Sequence, residues 1–353
     1  IDFMDVISVH PQGVAGITRS GIAYDSFRYV LDNGEVQWLD IHDQQVLYEN
    51  AVAKLATAKE FDIVHAHDWL TFKAAMRLKT MKNVPIILHV HSVESDRAGN
   101  NHGNPLVREI EESALLMADR IIAISNHTKQ AMMRDYNIPE DKIQIVHNSI
   151  ESSDIDPLDP DNTYKYLELM KTLGYRVVVN IGRLTIQKGL PNLLLAAAKV
   201  IEQNPKTLFL IVGSGEQYEQ LIHQSTDLGI GANVLFTEFQ RGKAWRDAFA
   251  IGDLFVMPSV SEPFGLTPLE SIGYGTPVLV SKQSGVSEVL LNALKVDYWD
   301  VDEMANQIAA VVMNDALRDE LTRNSNAEHQ KMSWDKASEQ IHGIYKSHLG
   351  VTT

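Results

Sequence analysis

Short apolar runs separated by longer stretches with helical spacing recur along the chain, and this alternation restricts it to βαβ units built on parallel sheets. "FDIVHAHD" (61–68), "VPIILHVHS" (84–92), "RIIAIS" (120–125) and "IQIVHN" (143–148) are predicted as strands, with helical segments such as "TFKAAMRLKTM" and "PLVREIEESALLM" between them. The acidic, proline-containing "ESSDIDPLDPDNT" (151–163) has no sustained apolar pattern and reads as an interdomain connection. The alternation then resumes with "RVVVNIGRL" (176–184), "TLFLIVGSG" (207–215), "NVLFTEF" (233–239), "LFVMPS" (254–259) and "TPVLVSK" (276–282), a second parallel sheet. The predicted fold class is α/β: two doubly wound, Rossmann-like domains, 1–152 and 174–332, joined by a linker at 153–173 and facing each other across a cleft. Ligands in such folds bind beyond the carboxyl ends of the strands.

Composition excludes several function classes. With 353 residues and 44% apolar residues the chain can form about two cores. A net charge of −15 without a dense Lys/Arg cluster argues against nucleic acid as a partner. Cysteine is absent, which removes disulfide frameworks and thiolate metal sites. No stretch approaches a transmembrane segment and no secretory signal is present, so cytoplasm is the default expectation. The chain opens on Ile1 within what reads as folded sequence, which suggests missing N-terminal sequence.

Four strand ends of the second half carry candidate chemistry. In "NIGRLTIQKGL", Gly182 ends a strand, and Arg183 and Lys188 precede a new helix, a good arrangement for a diphosphate and equally one for ordinary surface cations. In "IVGSGE", Gly213 and Gly215 permit close backbone approach and Glu216 opens the next helix, although a plain turn accounts for them as well. In "SEPFGLTPLES", Thr267, Pro268 and Glu270 fit a capped helix start, with Thr267 as N-cap and Glu270 closing a capping box. Glu262 and the amides of Phe264, Gly265 and Leu266 suit a sugar and a phosphate oxygen. "KQSGVSEV" repeats the theme with Gly285 and a nearby acid, and reads as well as a simple turn.

The first half supplies histidines. The period of two puts His65 and His67 on one face of a strand and His89 and His91 on one face of another. Four imidazoles on neighbouring strands raise metal-assisted hydrolysis as an alternative, against a reading of His65 and His89 as core residues with His67 and His91 nearer the cleft.

Together, "NIGRLTIQKG", "IVGSGE", "SEPFGLTPLES", "GTPVLVSKQSG" and "HAHDWLTF" resemble the motifs of the family-4 retaining glycosyltransferases, and most closely those of bacterial and archaeal glycogen or starch synthase-like members. The resemblance runs from about residue 61 to the end. It includes "SWDKASEQIHGIYKSHL", similar to the family's C-terminal helix that packs back on the first domain (333–353). It implies the GT-B fold. It implies that Arg183 and Lys188 bind the donor diphosphate, that Glu270 holds the ribose, and that Glu262 with the amides after it holds a hexose. His67 and His91 would line the sugar and acceptor side, in a stretch that also holds Glu94 and Arg97. The expected activity is retaining transfer of a hexose, glucose first, from UDP- or ADP-glucose to a glycan acceptor, with no metal or other cofactor. A homo-oligomer is allowed. Family members open with a strand, a glycine-rich loop and a helix, whereas here "GVAG" (13–16) stands in that place. That departure implies lost or remodelled sequence, and keeps a non-catalytic sugar-nucleotide or glycan-binding GT-B protein, and an epimerase on the same architecture, as further alternatives.

Overall fold

The computed structural model describes residues 39–98 and 103–350 in full, and the backbone of 5–8, 18–21, 28–30 and 36–38. In that leading part β1 (Asp5–Ser8) pairs in parallel with β2 (Thr18–Gly21), and β3 (Arg28–Val30) pairs antiparallel with β4 (Val36–Trp38). "GVAG" lies outside the described residues.

The first half continues through α1 (Ile41–Thr57), β5 (Val64–His67), α2 (Asp68–Lys82), β6 (Ile86–Val90), α3 (Glu94–Arg97), α4 (Pro105–Met117), β7 (Arg120–Ala123), α5 (Asn126–Tyr136) and β8 (Ile143–Ile145). Its strands form a parallel sheet in the order β5-β6-β7-β8. Helix starts follow local chemistry. The Asn104 side chain accepts from Leu106 N ahead of Pro105, and Ser125 accepts from Thr128 N at the start of α5.

The second half comprises α6 (Lys165–Thr172), β9 (Arg176–Ile181), α7 (Leu190–Gln203), β10 (Thr207–Val212), α8 (Tyr218–Asp227), β11 (Val234–Thr237), α9 (Lys243–Ala250), β12 (Leu254–Met257), α10 (Thr267–Gly273), β13 (Val278–Ser281), β14 (Leu294–Val296), α11 (Val301–Met313), α12 (Asp315–His329) and α13 (Trp334–Leu349). The sheet order is β11-β10-β9-β12-β13-β14. Counted from β9 this is 3-2-1-4-5-6, the doubly wound order whose reversal point lies between the first and fourth strands. Helices cover both faces, which is why β9, β10, β12 and β13 read as continuous apolar runs. One core packs Val178, Phe209, Val256 and Leu279 against α7 and α11, and the other packs Val179, Phe249, Phe255 and Leu269. Burying each of these large side chains contributes about 1.5–3 kcal/mol.

Three expectations are corrected. The stretch 153–173 is not a bare linker, because α6 buries Leu167 in the second core and Asp247 accepts from Thr163 N and Oγ1. Apolar residues hidden in an acidic segment were enough to dock it. A sixth strand, β14, joins the second sheet; "LKV" is too short and too mixed to stand out. Finally, α10 has no capping box, since its N-cap is Leu266 in helical conformation and no side chain caps it.

After α12 the chain crosses back. In α13, Ala337 and Ile344 pack with Ile341 and Tyr345 on Ile87, Ile122 and Val146 of the first half. The crossing is tied to the outgoing one, as Glu151 accepts from Trp334 N (2.9 Å) and Trp334 Nε1 donates to Asp154 (3.0 Å).

Candidate active site

The reversal point of the second sheet brings the loop after β9 beside the loop after β12. They are joined directly: Val260 N donates to Gln187 O at 2.8 Å, and Lys188 Nζ bonds Glu262 Oε2. Gly189 allows this, with φ of +66° and a backbone so close to the other loop that a Cβ would sit 2.1 Å from Pro258 O. Glu262 is buried, receives Ser259 Oγ at 3.3 Å, and is fixed through its backbone to Gln283 and Gly285. One cation and one carboxylate expected to hold different parts of a ligand thus hold each other.

Arg183 is exposed at the end of β9 and makes no ion pair among the described residues. It lines a cavity of about 140 Å³ with Thr185, Gln187 and Glu216 from the second half and Arg97 from the first. Glu216 lies in the turn before α8. Gly213 and Gly215 serve the protein's own backbone, since a Cβ on them would meet Gly182 O at 1.8 Å and Leu184 O at 2.4 Å. The amides of Phe264, Gly265 and Leu266 enter none of the described hydrogen bonds. Phe264 is a core side chain, and Gly265 takes φ of +95°. Thr267 opens α10 without capping it. In the same helix Glu270 Oε2 is buried without a partner among the described residues, and burial raises its carboxyl.

The family model for Glycosyl transferases group 1 matches residues 168–328, and that for Glycosyltransferase Family 4 matches residues 38–154. The chain belongs to the group 1 and family 4 glycosyltransferases. A Methanocaldococcus jannaschii protein described as an uncharacterized glycosyltransferase is 28% identical over 96% of this chain and 94% of its own. A Mycobacterium tuberculosis glycogen synthase is 25% identical over 81% and 69%. Among solved structures, sucrose-phosphate synthase from Thermosynechococcus elongatus superposes with a TM-score of 0.74 at 19% identity, covering 99% of this chain and 89% of that one. Anabaena Alr3699/HepE in complex with UDP and glucose gives 0.73 at 20% identity, covering 94% and 86%. These likenesses establish the GT-B fold.

Across its cleft this glycosyltransferase brings together residues that sequence did not single out. Ser125 Oγ donates to Pro263 O (2.5 Å), and Ser261 Oγ donates to Asp96 (2.9 Å) and shares a hydrogen with His127 Nε2 (2.9 Å). Glu288 accepts from Asn126 N and His127 N, both at 2.8 Å, and meets His147 at 2.9 Å. Burial raises the Glu288 carboxyl, but the bonds from His147 and the two amides outweigh it and hold it below the ordinary range. The signal was the acid after Gly285, whose partner lies 162 residues away. Arg97 is braced by Glu94 (3.0 Å), Glu111 (2.5 Å) and Ser92, so its charge is compensated within the first half.

The four histidines of the glycosyltransferase form a stack at the ends of β5 and β6, with neighbouring ring centroids 4.5–5.3 Å apart. His67 Nδ1 lies 2.9 Å from His91 Nε2, and His65 Nδ1 bonds the Tyr345 hydroxyl. Burial, reinforced by the neighbouring imidazoles, pushes His65 down to about 3, His67 to about 4 and His89 to about 2.

Proposed function

We propose that this glycosyltransferase moves a hexose, glucose in the first instance, from a nucleoside-diphosphate sugar to a glycan acceptor with retention of configuration. The observation that carries the reading is the contact of Lys188 with Glu262, which unites the two strand-end motifs at the reversal point of the sheet. Breaking a sugar–phosphate bond builds negative charge on the diphosphate. Arg183, which lines the cavity, and Lys188 in the same loop stabilise that charge more in the transition state than in the ground state. A donor diphosphate takes over the charge of Lys188 and frees Glu262 to accept from hexose hydroxyls. Glu270, with one oxygen unpartnered, accepts from the ribose. His67 and His91 face the sugar and acceptor side.

Retention by a front-face route fits the carboxylates of the cleft, several of which are engaged. Asp96 meets Ser261, Glu288 holds the start of α5, and Glu262, once released from Lys188, is taken up by the hexose hydroxyls. No other cofactor is required by these roles. Two of the solved neighbours, the Anabaena protein in complex with UDP-glucose and an Escherichia coli trehalose-6-phosphate protein bound with UDP-2-fluoro glucose, are consistent with UDP-glucose as the first donor to try.

A thermal-shift screen of UDP-, ADP- and GDP-sugars tests the donor, since ligand at 100 times its Kd stabilises by about 2.7 kcal/mol. NMR of the product with the stabilising donor then gives the anomer. The proposal fails if no donor shifts the melt, or if the product anomer is inverted.

A further inference from the structure

We propose that His65, His67 and His89 form a binding site for one divalent transition-metal ion of the zinc or cobalt class. The site shares His67 with the proposed sugar and acceptor side, but the inference does not rest on the transfer reaction and stands on three observations. First, His65 and His67 are two residues apart on β5 and therefore share a face, and His67 is in register with His89 on the adjacent β6. Two histidines from one strand and a third from its neighbour give three nitrogen ligands on a rigid base, and the candidate ligand atoms lie within 4.8 Å of one another. Imidazole is a preferred ligand of these ions, and three of them leave a fourth tetrahedral position for water.

Second, His89 is 5% exposed, and neither of its ring nitrogens has a hydrogen-bond partner among the described residues; His65 Nε2 is also buried and unpartnered among them. Leaving such groups unsatisfied is costly, and an ion would engage the free nitrogens. Third, the other nitrogens of the remaining ligands are held from behind. His65 Nδ1 is bonded to the Tyr345 hydroxyl and His67 Nδ1 to His91, which leaves Nε2 of each directed elsewhere. Outer partners of this kind fix the tautomer of a metal-binding histidine. His67 is enclosed by the neighbouring rings on one side and reaches solvent on the other, and that open side provides the entry. Because a metal lies in the plane of each ligating ring, loading must turn the stacked rings out of their near-parallel arrangement.

The test uses tag-free full-length protein stripped with a chelator and titrated with Co²⁺, then Zn²⁺. Expected are one equivalent of Co²⁺ bound, intense visible bands of four-coordinate cobalt, and displacement by Zn²⁺. His65→Ala and His89→Ala should each weaken binding at least 100-fold. Tyr345→Phe, which removes an outer partner, should weaken it about 10- to 100-fold. His223→Ala, on the exposed face of α8, should bind as wild type. Circular dichroism selects the folded variants, and His65→Gln and His89→Gln replace any alanine variant that does not fold. Absence of stoichiometric binding in the wild type, a weak six-coordinate spectrum, or binding undiminished in the folded His65 and His89 variants overturns the proposal.

Discussion

Gly189→Ala separates the cost of a backbone conformation from the cost of a misplaced site. Gly189 has φ of +66°, and a Cβ there would lie 2.1 Å from Pro258 O and 3.1 Å from its carbonyl carbon. The left-handed conformation alone costs a non-glycine residue about 1–2 kcal/mol. Relieving the contact additionally requires the loops after β9 and β12 to part by about 1 Å, which disturbs the bond from Val260 to Gln187 and the contact of Lys188 with Glu262. A misplacement of about 1 Å in a reacting site can reduce rate by roughly 10²-fold, or about 2.7 kcal/mol of barrier. Gly229 is the matched control, with φ of +72° and nothing within 4 Å of an added Cβ. Both alanine variants should melt about 2–8 °C lower from the conformational cost, Gly189→Ala lower still. Only Gly189→Ala should lose kcat/KM, roughly 100-fold, in a donor-dependent transfer assay. Transfer by Gly189→Ala within about threefold of wild type, or equal losses in both variants, would refute the reasoning that this glycine sets the loop spacing.

Lys188→Ala should lower kcat/KM by about 10²- to 10³-fold, because one of the two charges proposed to oppose the leaving group is gone. Steady-state kinetics of this variant, Glu262→Gln and the double variant should show strong non-additivity, since each single change strands its partner. Burial raises the Glu270 carboxyl, so the folded chain holds its proton more tightly than the unfolded chain, and this group's contribution to stability declines as pH rises through the range above the ordinary carboxylate value. Glu270→Gln should therefore be more stable than wild type at pH 8 and equal to it near pH 4, as read from denaturant melts at the two pH values. Glu288→Ala should cost about 1 kcal/mol, as loss of a helix cap does, and should speed hydrogen exchange at the amides of Asn126 and His127.

Lys188 and Glu262, which meet in the candidate site, stood out in the sequence because each follows a continuous apolar run at a strand end. Their contact did not, because a bond spanning 74 residues depends on sheet order, and the alternation of strands and helices does not state that order. Local rules failed in an instructive way at Thr267. The spacing Thr-Pro-Leu-Glu matches a capping box, but the tight turn at Gly265 brings Leu266 into helical conformation first and leaves Thr267 inside the helix. The histidine faces followed from period two, whereas the role of Tyr345 depended on α13 returning to the first sheet. Glu288 was visible only as an acid in a turn. Its partners are backbone amides, which carry no residue-type signature.

The return of α13 also orders events during synthesis. Among the described residues, the face of the first sheet with Ile87, Ile122 and Val146 is covered by residues that follow Trp334. About 190 residues separate β8 from that helix, which at ribosomal speed is a delay of roughly 10–40 s. Throughout that interval the nascent first half lacks the apolar cover that α13 supplies, while the intervening second half emerges with its own sheet complete. The later half can therefore mature before the earlier one, reversing the usual vectorial sequence, and chaperone demand should concentrate on the part of the polypeptide made first.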